Sequence, residues 1–181
     1  YYPHGDCPMS TLSVDTIQGK TTAGTVAMPA GSTIQVVDSG AKTTSVTVQS
    51  TTFTDTNMVS VAITPKFATS KIYVVVTQNI QIWNNSNYAT GRWRILRNIN
   101  GGSYNAIMED SSTQNGNIFA YDYGGSGINV YSPMTYQLLD TPNTTNQVIY
   151  KTQIAQGSHG GNRIVSDGEN PGRMTLLEIS G

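Results

Sequence analysis

With 181 residues, 12% of them charged and a formal net charge of −1, the chain is long enough for one domain with a real core. It has neither the charge density of a disordered polyampholyte nor the clustered Lys and Arg that nucleic-acid phosphates demand. Ser, Thr, Asn, Gln and 18 Gly fill the space left by charge, which suits a β-rich extracellular surface where Thr stabilises strands and Asn and Gly supply turns.

In chain order, residues 1–9 form a short tail or extension, with Tyr1 to Pro8 upstream of Met9 read as a distinct attachment tail, a reading-frame extension or a cloning remnant. Residues 10–35 contain few apolar side chains, several Thr and Gly, and no sustained period of 3.6, so they build neither an amphipathic helix nor a core alone. Such a segment orders by lying against something else, for instance as extended strands wound around identical copies in a stem, or else remains an N-terminal linker. From residue 36 to 181 the pattern is that of a β-sandwich head. Val59, Val61 and Ile63 alternate with Met58, Ser60 and Ala62 until Pro65 ends the run. In the strongest strand, Lys71 to Trp83, Ile72, Val74, Val76, Ile80 and Ile82 share one face, interrupted by Gln78, while Tyr73, Val75, Thr77, Asn79, Gln81 and Trp83 share the other.

Further strands are predicted near 33–37, 43–49, 90–97, 103–109, 117–123, 128–139, 146–155 and 173–179, giving about nine or ten short strands at the spacing of an all-β sandwich or jelly roll. The predicted core is Val59, Val61, Ile63, Ile72, Val74, Val76, Leu138 and Val148. Asp140 to Asn146 and Asn98 to Gly102 read as hairpin loops. There is no helix signal and no internal repeat, which disfavours a propeller or solenoid.

The stretch Val14-Asp-Thr-Ile-Gln-Gly-Lys-Thr-Thr-Ala-Gly-Thr-Val26, continued by Met28-Pro-Ala-Gly31 and Ile34-Gln35, resembles the opening of a family of small virion appendage proteins of tailed phages of aquatic bacteria, tail fibres above all. Weaker echoes follow: Ser60 to Lys66 with Ser70 to Ile72, Arg94 to Arg97, Tyr136 to Asp140 with Pro142, Tyr150 to Gln153, and Leu176-Leu-Glu-Ile179. The resemblance implies a virion location, on the tail or the capsid surface, and a homotrimer with a jelly-roll-like head. It also implies an N-terminal stem that binds other virion proteins through Val14, Asp15, Ile17, Gln18, Val26, Met28 and Pro29.

Nucleophilic catalysis finds little support, because a triad needs a His near its nucleophile and the histidines are His4, in the tail, and His159, in a Gly-rich loop. His4 and Cys7 are two ligands, too few for a zinc site, so no metal and no cofactor are expected. Glu109 and Asp110 are adjacent and face opposite ways on a strand, so they do not form a glycosidase pair; Asp122, Asp167 and Glu169 read as solvated loop carboxylates. Gly124 to Gly127 lacks the Lys-Ser/Thr signature and following helix of a phosphate cradle. The lone Cys7 excludes an internal disulfide, so stability must come from packing and oligomerisation. No run approaches the ~18 apolar residues of a membrane span, and the N-terminus lacks the basic start and apolar centre of a secretory signal, as in a protein released by lysis.

The positive signal is aromatic. Ten Tyr and two Trp against three Phe form an amphipathic set, suited to places where a ring packs flat and its edge stays wet. Aromatic rings beside amides and carboxylates are what glycan recognition uses. Two loops carry them: Trp83, Asn85, Asn87 and Tyr88 in one, Tyr121, Asp122 and Tyr123 in the other. These are the candidate contacts for a host surface polysaccharide. Trp93 shares a face with Ile95 and reads as core. Trp83 reads as exposed if its strand runs straight and as core if a bulge at Gln78 turns it inward. Arg92 and Arg94 should leave the core together on one face, solvated or between subunits. The sequence thus points to a non-enzymatic adhesin on a virion, or to a structural virion component that binds only other virion proteins.

Overall fold

The structure, a computed structural model, describes residues 29–85, 88–109, 118–121, 127–157, 163–166 and 171–181. Within them all regular structure is β, in two antiparallel sheets. The strands are β1 (Thr33–Asp38), β2 (Val46–Val48), β3 (Thr54–Ile63), β4 (Lys71–Asn84), β5 (Tyr88–Ile99), β6 (Asn105–Glu109), β7 (Ile118–Tyr121), β8 (Ile128–Asp140), β9 (Val148–Gln156), β10 (Arg163–Ser166) and β11 (Arg173–Ile179). In sheet I the long β4 pairs along one edge with β8, from Ile72 opposite Asp140 to Asn84 opposite Ile128. Its other edge is shared by β11, against Lys71 to Thr77, and β10, against Ile80 to Trp83. β1 lies outside β11 and β2 outside β10. In sheet II, β5 pairs with β9 on one edge and with β6 and β7 on the other, and β3 lies outside β9.

The strict alternation of β4 explains the architecture. Every second residue from Ile72 to Asn84 is buried and the intervening ones are half-exposed, the pattern of a sheet with one face on the core. Val59, Val61, Ile63, Ile72, Val74, Val76 and Val148 are buried as their alternation requires. Leu138 faces the same core but stays half-buried, because β8 is paired only with β4 and the second sheet covers it incompletely. The inner faces meet at Trp93, fully buried and stacked on Tyr136 with ring centroids 4.5 Å apart. Gln78, the polar interruption in β4, is also fully buried. Its side-chain carbonyl accepts from Trp93 Nε1 at 3.2 Å and from Thr152 Oγ1 at 2.8 Å, so the polar atom in the core is satisfied.

Three expectations are corrected. Asp140 to Asn146 is no hairpin loop: β8 belongs to sheet I and β9 to sheet II, so this segment crosses between sheets. Asn98 to Gly102, by contrast, does join paired strands, with Asn100 and Gly101 in the left-handed region at φ 51° and 73°. The four-residue β10 went unpredicted, since four residues among Gly and Asn carry too little alternation to register. Arg92 leaves the core but is not solvated: it is buried beneath the Phe53 ring. The strand bounds near 43–49 contract to β2, and the described part of 117–123 forms β7.

Candidate functional site at the aromatic end

β4 runs the length of the sandwich and defines its two ends. At the Lys71 end, Thr33 pairs with Ile179 and Ile179 with Lys71, so the chain emerges from Pro29 into β1 there and β11 finishes there. At the Asn84 end the chain passes between the sheets in two segments. One is 84–88, between β4 and β5; the other is 121–128, between β7 and β8. Asn84 sits opposite Ile128 and Tyr88 opposite Tyr121, so both crossovers share this end. They approach closely. Gly127, at φ 104°, comes so near that a Cβ there would meet the Asn84 carbonyl at 3.1 Å. Asn84 Nδ2 donates to the Tyr88 carbonyl and closes the first crossover. A third crossover arrives between β9 and β10, because Gly157 N–H donates to the Thr90 carbonyl at 2.9 Å and Arg163 pairs with Trp83. The fourteen residues of β4 put roughly 45 Å between this end and the one where the chain emerges.

The candidate contacts are placed as follows. Tyr88 and Tyr121 meet edge to face, centroids 6.3 Å apart, with Tyr121 46% exposed. They lie opposite the Ala89 and Ala120 pair, which faces the core, and so occupy the outer face of sheet II. Asn85 is exposed at the crossover. Trp83 is half-exposed on the outer face of sheet I: β4 runs without a register shift past Gln78, so its side chain is not turned inward. Trp83 and Tyr88 therefore flank one crossover with their rings on opposite sides of the sandwich. Asn87, Asp122 and Tyr123 lie outside the described residues, as do Val14, Asp15, Ile17, Gln18, Val26 and Met28; Pro29 is exposed where the chain reaches the head.

The sequence sets Tyr131 near Tyr121 and Tyr123, but the structure places it beside Trp83. Tyr131, 58% exposed, stands opposite Gln81 on β8, and Asn129 stands opposite Trp83. Gln81 Nε2 donates to Asn129 Oδ1 at 2.7 Å, so an amide pair is fixed between two aromatic positions that are diagonal neighbours on one face. The alternation of β8 contains this signal, but only the β4–β8 register reveals it.

Among the described residues, several polar side chains elsewhere on the head pair with one another. Glu109 ion-pairs with Arg94 at 2.8 Å, and Arg94 also donates to Gln153 and lies 4.0 Å from the Phe53 ring centroid. Burial acts to raise the Asp55 pKa, but hydrogen bonds from Lys151 and Gln153 outweigh it and hold the carboxyl below its ordinary value. Two polar ties lock the end where the chain emerges. Glu178, fully buried, accepts from the Lys66 N–H at 2.7 Å and the Phe67 N–H at 3.4 Å through one oxygen, and from Gln35 Nε2 at 2.6 Å through the other. Asp140 accepts from Arg97 at 2.7 Å and from the Tyr150 hydroxyl at 2.7 Å, joining sheet I to sheet II. Among the described residues no group of three His, Cys, Asp or Glu gathers in a metal-binding arrangement.

No family model matches the chain, and no curated protein matches it. Among solved structures it is similar to a chain of the T13 IBDV viral particle, at 12% identity and a TM-score of 0.33, covering 95% of this chain and 40% of that one. The chain thus spans well under half the length of that neighbour.

Proposed function

We propose that the chain is a subunit of a phage virion appendage, a tail fibre above all, in which an extended N-terminal segment attaches the protein and the aromatic end of the head contacts a host surface polysaccharide. In this reading the subunit is a homotrimer with a jelly-roll-like head, and it works without catalysis and without a cofactor. The resemblance of residues 10–35 supports the virion role. The observation that carries the adhesive role is the polarity of the head. The chain emerges at one end, while Tyr88, Tyr121, Trp83, Tyr131 and Asn85 collect at the other. A rigid sandwich can vary such crossovers without disturbing its strands. One aromatic–sugar contact is worth about 1 kcal/mol, so adhesion would draw on several copies per virion.

A second reading keeps the virion and drops the receptor. Trp83 and the Tyr88–Tyr121 pair sit on opposite faces, which suits two contacts with neighbouring virion proteins as well as it suits a glycan. Binding of the purified protein to cells of a panel of aquatic bacteria, and to their isolated surface polysaccharides, separates the two. The adhesive reading expects saturable binding that is lost in the folded Tyr88→Ala/Tyr121→Ala variant. Absence of binding to every surface, together with retention of the protein by virion components, would establish the structural role instead.

A further inference from the structure

The outward residues of sheet I near the end where the chain emerges do not look like a solvated face. Val36 on β1, Leu177 on β11, Tyr73 on β4 and Leu139 on β8 are successive partners in one row across four strands. Val36 is 58% exposed and Leu139 54%. Val75 and Ile179 extend the apolar area to the rows on either side. An antiparallel sheet with one solvated face normally alternates apolar inside with polar outside, and the outer face of sheet II does so through Arg94, Glu109, Lys151 and Asp55. Here the charged groups Lys71, Asp38 and Arg173 stand only at the rim, the last two within 3.6 Å of each other.

We propose that this half of the outer face of sheet I is a self-association surface, covered by a second copy of the same chain. Charge is the first argument. Copies that meet through this patch about a symmetry axis bring it against a rotated image of itself, so a patch carrying one sign of charge repels itself, whereas an uncharged apolar patch does not. The second is position: residues 1–28 join the head at Pro29 to Thr33, on the margin of the patch. Copies held together by that segment bring their patches to high local concentration. Size is the third. The apolar part is the row Val36, Leu177, Tyr73 and Leu139 with Val75 and Ile179 beside it, smaller than the ~800 Å² that each partner of a standard interface buries. The contact is therefore reversible and concentration-dependent on its own. Edge pairing is a poor alternative, because Pro133 removes a backbone donor midway along the open edge of β8.

The inference concerns assembly and stands apart from glycan binding. Its test uses the full chain. Hydroxyl-radical labelling and light scattering are run from dilute to near-millimolar concentration on the wild type, on Val36→Lys/Leu139→Lys, and on Glu109→Lys as a control on the other face. In the wild type, labelling of Val36, Tyr73, Leu139 and Leu177 falls several-fold as the mass rises. The double variant, checked for unchanged circular dichroism, requires roughly tenfold or more protein for the same mass, and Glu109→Lys behaves as the wild type. Labelling as high in every oligomer as in the monomer overturns the proposal, as does a chain that stays monomeric with these four residues fully labelled at near-millimolar concentration. Protection already complete in the dilute monomer does too, because the chain's own residues 1–28 would then cover the patch. If the double variant misfolds, the wild-type labelling still decides.

Discussion

The two ends of the sandwich are built from different materials. Where the chain emerges, buried polar side chains tie separate elements together: Glu178 holds β1 and the crossover between β3 and β4, and Asp140 holds β5 and β9. At the far end Tyr121 and Tyr131 are about half-exposed, and among the described residues Asn84 Nδ2 donates to the Tyr88 carbonyl and Gly157 N–H to the Thr90 carbonyl. The side chains that make the ties at the first end are Gln35, Arg97, Asp140, Tyr150 and Glu178, with the Lys66 and Phe67 backbone. A head built this way fixes its framework near β1, and loops at the opposite end can vary without disturbing it.

The contrast can be broken or sharpened by substitution. The largest effect is expected at Glu178. Its removal leaves the Lys66 and Phe67 N–H groups and the Gln35 amide without their acceptor, so Glu178→Ala should cost about 3 kcal/mol in denaturant unfolding. A loss too small to measure would mean that this end is not held by the buried carboxylate. Next is Val74→Ala, on the inner face of β4, at about 2 kcal/mol. Val75→Ala on the outer face should change the monomer's stability by no more than about 0.5 kcal/mol. Equal effects at these two neighbours would mean that the faces of β4 have been assigned incorrectly.

Tyr150 offers a test through pH. Burial, with the hydrogen bond to Asp140 and the charge of that carboxylate, pushes its hydroxyl well above the ordinary 10.0. Above that value the unfolded chain sheds a proton that the folded chain keeps, so the folded state binds more protons and stability falls as pH rises. Below it, this contribution is fully present. Tyr150→Phe should cost about 1 kcal/mol at neutral pH and make the decline between about pH 9 and 11 shallower. A variant with an unchanged alkaline slope would place the cause elsewhere. The smallest effects belong to the far end: Tyr88→Ala and Tyr121→Ala should each lower stability by no more than about 1 kcal/mol, the value of one aromatic pair. A cost near that of Glu178→Ala would show that the aromatic end is framework as well.

How much of this could be read from the sequence depended on whether the information was local. Alternation is local: in β3 and β4 it places Val59, Val61, Ile63, Ile72, Val74 and Val76 in the core, and in β5 it places Trp93 on the face of Ile95, without any knowledge of topology. Trp83 was left undecided because its orientation depends on whether β4 bulges at Gln78, and that is settled by a polar bridge to Trp93 and Thr152 from the other sheet. Asp140 to Asn146 has the composition of any turn, and composition does not say whether the next strand returns to the same sheet. Nothing local to Glu178 shows its structural role, since a carboxylate in an alternating strand reads as solvated until its partners, more than a hundred residues distant, are known. The Tyr131 and Asn129 companions of Trp83 are set by inter-strand register, which no window of sequence contains.

The central claim is that the aromatic end meets carbohydrate while the opposite end serves attachment. The most direct test is amide and indole NMR of the folded protein titrated with isolated surface polysaccharides from a panel of aquatic bacteria. The account predicts shifts confined to Trp83, Asn85, Tyr88, Tyr121, Asn129 and Tyr131, with Gln35, Arg97, Tyr150 and Glu178 unmoved. Shifts centred on the Glu178 and Asp140 ties, or on Arg94 and Lys151, would contradict it.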